Sequence, residues 1–203
     1  MVSVIKAFSI RHSPVIAIAA ISLSIALIGD SANLALRYDR EEIIAFEWWR
    51  LFTGNLAHLS WNHLWMNLAG LIMIWIIYDQ QLSTTQWLIN FFVCSIAVGL
   101  NLYLFNPELS WYVGLSGTLH GLLMAGIIIN VSKKQRLDLI LFVLVSGKLA
   151  WEQFAGALPG SAETAGGPVI VDAHLYGAIA GLIMGLIYAY THKTHKHSPT
   201  TNN

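Results

Sequence analysis

Charge is scarce in this chain. Only 11% of its 203 residues are Asp, Glu, Lys or Arg, while 56% are hydrophobic. A soluble domain carries about 25% charged residues. So few charges cannot cover a water-facing surface, and with a mean hydropathy of +0.59 the chain reads as an integral membrane protein. Neither sign is in excess, since eleven basic and eleven acidic residues cancel. That balance speaks against a nucleic-acid partner. Cysteine is almost absent. The lone Cys94 sits in an apolar run, which excludes an intrachain disulfide and reads as a small buried hydrophobe.

Long apolar runs, by contrast, are plentiful. A spanning helix needs about 20 largely apolar residues, and six stretches are expected to supply one: Pro14–Ile28, Asn62–Tyr78, Gln86–Phe105, Leu115–Val131, Leu137–Gln153 and Asp172–Tyr190. Several are short, which implies a compact bundle or local bilayer thinning. The first, behind Lys6 and Arg11, resembles a signal peptide. Five more runs follow and no A-x-A site closes it, so a retained signal-anchor is expected. With the N-terminus in the cytoplasm, seven Lys and Arg residues fall inside and only Arg37, Arg40 and Arg50 outside. This predicts both termini cytoplasmic. Residues 1–191 then form one six-helix membrane domain, with 192–203 as a disordered cytoplasmic tail. The segment 29–61 carries Trp48, Trp49 and Trp61, which suit the interfacial belt. The loop 154–171, rich in Gly, Ala and Pro, reads as mobile and external.

Polar groups at membrane depth are costly and mark function or a paired structural role. Here they are His58, His63, Asn67, Ser116, His120, Lys148, Glu152 and His174. Ser116 lies 16 residues before Ser132, and His63 16 before Asp79; each interval is roughly 24 Å of helix. His174 lies 18 residues before His192, roughly 27 Å. Three helices thus bring these groups to one level, just below the outer surface of a hydrocarbon core about 30 Å thick.

That level holds the parts of a nucleophilic site. Ser116 would attack and His174 would take its proton. Asp172 reads as the N-cap of the last helix, which puts His174 in the first turn, where the helix dipole favours neutral imidazole. Asp172 falls on nearly the opposite face, so the reading is a Ser-His dyad with no carboxylate third member. His63 and Asn67, at i and i+4 on one face, could bind an oxyanion together with the backbone N–H groups of Leu115 and Ser116. Gly114 and Gly117 permit close backbone approach. Gly177, Gly181 and Gly185 form a G-x-x-x-G-x-x-x-G stripe for a neighbouring helix, in register with His174. Lys148 and Glu152, at i and i+4, read first as a helix-steadying ion pair, and alternatively as a hold on the external loop or substrate.

G-x-S-G alone carries little, since ~0.07 occurrences are expected by chance in a chain of this size. Intramembrane histidines also suit a haem or metal protein, but that reading leaves Ser116, Asn67 and the glycines without a role.

The combined pattern resembles the rhomboid intramembrane serine proteases. It rests on Trp49-Arg50, "HLSWNHLWMN" with His58, His63 and Asn67, "GLSG" at Gly114–Gly117, and "AHLYGAIAG" at Ala173–Gly181, in order on the second, fourth and sixth of six spans. The resemblance implies an all-α membrane bundle with Ser116 and His174 as the dyad, and His63, Asn67 and the Ser116 N–H as the oxyanion hole. It places Trp49-Arg50 in a membrane-embedded first loop. It makes the fifth helix and loop 154–171 a gate for a transmembrane-helix substrate in the lipid bilayer, with no cofactor and no metal. One position departs: family members commonly carry Tyr four residues after the serine, and this chain has His120. "GLSGTLHG" looks like the rhombosortase branch, which implies processing of exported proteins bearing a C-terminal Gly-Gly, a transmembrane helix and a basic tail. The site would then face the periplasm from a Gram-negative inner membrane. His120 could reach Ser116 or support His174 from below, and the resemblance favours support. A rhomboid-like binder that recognises membrane helices without cutting is the rival reading.

Overall fold

The computed structural model describes residues 2–196, and side chains from 13 to 191. The chain is mostly helical. In order it runs α1 (Val2–Ile28), α2 (Asp30–Leu36), β1 (Tyr38–Asp39), α3 (Arg40–Ile44), α4 (Arg50–Thr53), α5 (Trp61–Tyr78), α6 (Thr84–Phe105), β2 (Trp111–Tyr112), α7 (Ser116–Ser132), α8 (Arg136–Ala155), α9 (Ser161–Ala165) and α10 (Val171–Lys196). The long helices α1, α5, α6, α7, α8 and α10 contain the six apolar runs almost entirely, though α1 begins at Val2, well ahead of its run. Two of them, over Thr84–Phe105 and Val171–Thr191, are by length and composition sufficient to cross a bilayer. Ser13–Ile28 and Ser116–Ser132 are apolar but shorter.

Local chemistry sets the helix starts. Ser60 Oγ accepts from His63 N–H and caps α5, and Ser83 with Gln86 forms a full capping box on α6. Pro14 lies inside α1, which continues through it. α10 is described to Lys196, so the boundary expected at 191/192 falls within a helix; 197–203 lie outside the described residues.

Helix α7 is the centre of the bundle. Its face is buried from Gly117 to Asn130 with few interruptions, and α10 lies against it backbone to backbone. A Cβ at Gly177 would stand 1.9 Å from the Gly117 carbonyl oxygen, and one at Gly181 1.9 Å from that of Gly121. The glycine stripe therefore meets the small-residue face of α7, so close that only hydrogen fits between.

Between α1 and α5 the chain folds into a scaffold of α2, α3, α4 and a two-residue ladder. β1 pairs antiparallel with β2, Tyr38 opposite Tyr112, so this scaffold grips the segment that leads into Ser116. Arg40 braces the C-terminal end of α6 and the turn that follows it: its guanidinium donates to the carbonyls of Leu102, Tyr103, Asn106 and Leu109. Arg50 is buried and donates to the carbonyls of Leu34 and Arg37. Asn55 donates to the carbonyl of Ser95 on α6 and accepts from Thr118 Oγ1 on α7. Phe46, Trp48, Trp49, Trp61 and Trp65 are exposed around this layer.

One expectation is corrected here. Asp172 is not an N-cap. α10 starts at Val171, and the Asp172 carboxylate accepts instead from Asn106 Nδ2 beyond the end of α6. The loop 154–171 carries local structure. It contains α9, and the Ala165 carbonyl accepts from Ser60 Oγ, which docks the loop on the cap of α5.

Candidate active site

Ser116 is the first residue of α7 and His174 lies in the first turn of α10. The glycine contact one turn below brings these two helix ends together, leaving His174 Nε2 2.9 Å from Ser116 Oγ. That is the reach a base needs to take the serine proton. The turn before Ser116 is set by Gly114, whose φ of +131° favours glycine. A Cβ there would also meet the His63 ring at 2.8 Å. Tyr112 Oη donates to the Gly114 carbonyl at 2.6 Å. Burial pushes that phenol up, so it stays protonated and able to donate.

His63 and Asn67 line the same end of α5, and both are buried. His63 Nδ1 and Asn67 Nδ2 have no hydrogen-bond partner in the described structure. Buried polar atoms without partners cost about 1–3 kcal/mol each, which suits groups reserved for a ligand. The N–H groups of the first turn of α7 are likewise left over by helix geometry. A groove of about 260 Å³, lined by Asn67, Gly70, Met73 and Leu123, reaches Ser116 and His120.

The dyad reading is altered by Glu152. Its Oε2 lies 2.9 Å from His174 Nδ1 and 2.7 Å from Lys148 Nζ. A carboxylate third partner is therefore present, supplied by α8 and not by α10. Helix counting gives its depth but not its facing: Glu152 stands 16 residues beyond Arg136, the same interval that separates Ser116 from Ser132. His120 sits beneath the pair. Its ring stacks on His174 with centroids 4.3 Å apart, and its Nδ1 lies 2.7 Å from the Ser116 carbonyl. Lys148 Nζ approaches His120 Nε2 at 2.8 Å.

The remaining candidates stand apart. Trp49 is exposed, and Arg50 is spent on the carbonyls of Leu34 and Arg37 and on Glu47. Both belong to the scaffold. His58 packs edge-on against His63, centroids 5.1 Å apart, and Asn33 pairs with its backbone. Burial above all, with His63 adding to it, holds the His58 imidazole down to about 3, so it is neutral. Gly177, Gly181 and Gly185 act in packing alone. Among the described residues no cluster of three or more His, Cys, Asp or Glu is placed to hold a metal, and both ring nitrogens of His120 and His174 are engaged by protein groups.

A family model, the rhomboid domain, matches residues 45–191. The chain belongs to the rhomboid family. Among curated proteins, Rhomboid-like protein 11, chloroplastic, of Arabidopsis thaliana is 26% identical over 145 residues. The match covers 68% of this chain and 51% of that protein, so the chain spans about half the length of its relative. The domain match takes in the scaffold from α4 onward, all of α5 to α9 and α10 to residue 191. Every rhomboid residue discussed above from Trp49 to Gly185 thus lies within it. Together with the apolar helices it marks a membrane protein.

Proposed function

We propose that this rhomboid protein is an intramembrane serine protease. The observation that carries the reading is the 2.9 Å approach of His174 Nε2 to Ser116 Oγ, at the mouth of an apolar groove. Ser116 Oγ attacks the scissile carbonyl carbon as its proton passes to Nε2. The oxyanion is received by the unpartnered donors of His63 and Asn67 and by the N–H groups at Leu115 and Ser116. The C–N bond breaks, Nε2–H protonates the leaving amine, and water, deprotonated at Nε2, releases the acyl group.

The six long helices span the bilayer with both termini in the cytoplasm, and the site faces the periplasm of a bacterial inner membrane. The substrate is a protein anchored by one transmembrane helix. The sequence GLSGTLHG supports the rhombosortase branch, whose substrates end in Gly-Gly, a helix and a basic tail. The acyl group then passes to water or to an amine. Co-expression with a reporter carrying such a tail tests both levels. Wild type should cut it and Ser116→Ala and His174→Ala should not. Mass analysis of the new C-terminus separates hydrolysis from transfer. Cleavage that survives Ser116→Ala sinks the protease reading, whereas cutting only of tails without Gly-Gly sinks the branch alone.

A further inference from the structure

Helix α8 buries only Asp138, Leu149 and Glu152 of its 20 residues. Asp138 meets Tyr78 Oη at 2.7 Å and Leu149 packs on apolar neighbours. Glu152 is 3% exposed at membrane depth, where burying a carboxylate is costly unless it is paired and bonded. An ion pair that merely steadies a helix needs no burial and no third group.

The partners leave one arrangement of protons. His120 Nδ1 faces the Ser116 carbonyl, an acceptor, so it carries the hydrogen and Nε2 accepts from Lys148. His174 Nδ1 faces the Glu152 carboxylate, so it too is protonated, and Nε2 is left as the acceptor for Ser116 Oγ–H. Lys148 Nζ also lies 3.2 Å from His174 Nδ1, but between two donors this is a contact and no bond. Lys148 and Glu152 thus compete for Nδ1. Were Lys148 to win, Nδ1 would become the acceptor and Nε2–H would point at the serine, a donor where a base is required.

We propose that Glu152, held by Lys148, is the positioning residue of this site: it keeps His174 as the Nδ1–H tautomer facing Ser116, so that the nucleophile works in a Ser116–His174–Glu152 relay whose third member comes from α8. The proposal rests on Ser116 being the nucleophile. Because His120 and Lys148 link the same carboxylate to the Ser116 backbone, α8 must be seated for the serine to be active.

The test uses the purified full chain and a fluorophosphonate probe. Ser116 Oγ–P forms, P–F breaks, fluoride leaves, and the serine proton passes to His174. Glu152→Gln keeps shape and removes the charge. It should lower the limiting labelling rate at least about a hundredfold, as loss of the tautomer-setting carboxylate does in serine proteases, with half-saturation unchanged. In ¹⁵N-histidine spectra the His174 proton should move from Nδ1 to Nε2. Lys148→Met leaves Glu152 in place but without its ion-pair partner, so its loss should fall between wild type and Glu152→Gln. Labelling of Glu152→Gln within threefold of wild type, an Nδ1 proton retained in it, or a Lys148→Met loss larger than that of Glu152→Gln overturns the relay. A wild type that takes no label at Ser116 overturns the protease reading, and the relay with it.

Discussion

Gly177→Ala probes the contact that sets the reactive geometry. The added methyl would stand 1.9 Å from the Gly117 carbonyl oxygen and 2.6 Å from its carbon. Both sides are helix backbone, so no rotamer can yield. The helices must part by about 1.5 Å to regain ordinary contact. His174 is three residues from Gly177 and Ser116 is adjacent to Gly117, so the same parting acts on the 2.9 Å bond between them. It would stretch to roughly 4 Å, beyond hydrogen bonding. Overpacking of this kind costs about 1–3 kcal/mol, which in a chain of this size lowers Tm by roughly 2–12 °C. A misplacement of about 1 Å costs about a hundredfold in rate. Thermal unfolding in detergent and fluorophosphonate labelling measure the two losses. A variant with unchanged Tm and labelling within twofold of wild type would refute the argument that this close approach positions the site.

Gly147→Ala is the counterpart. A Cβ there meets nothing within 4 Å, so stability should hold or rise by up to ~1 kcal/mol of helix propensity, which raises Tm by at most roughly 2–4 °C. Arg40→Met removes the donor to four carbonyls at the end of α6. It should cost about 2–3 kcal/mol and speed hydrogen exchange around residues 102–106; unchanged exchange there would count against the cap. His58 has an unfolded value of 6.5 and a folded value of about 3. Its contribution to stability is complete above pH 6.5 and is lost as pH falls toward 3, by about 2 kcal/mol on reaching pH 5. Tm of the wild type should therefore fall more steeply from pH 7 to 5 than that of His58→Asn. Equal slopes would show that His58 is not buried neutral.

Helix positions were legible because each apolar run must satisfy its backbone internally and no other regular element can do so over that length. The level shared by Ser116 and His174 was legible for a related reason: helical rise is constant, so residue counts convert to depth. The scaffold between α1 and α5 was not legible. Its elements are two to seven residues long, and their stability comes from Arg40, Arg50 and Asn55 reaching carbonyls far along the chain. Asp172 was misread because a carboxylate at a helix start ordinarily caps it, and only the fold shows that Asn106 is closer to hand.

The sequence alone determined an apolar helical bundle, the glycine face on its last helix and the two residues that could form a bond-breaking pair. Composition, the 3.6-residue period and the cost of polar groups in lipid act locally, and they suffice for that. Which carboxylate faces His174 was decided only by tertiary structure. Asp172 and Glu152 are both near in principle, one by chain and one by depth. The choice depends on how α8 rotates against α7 and α10, and that rotation is set by packing across helices far apart in sequence.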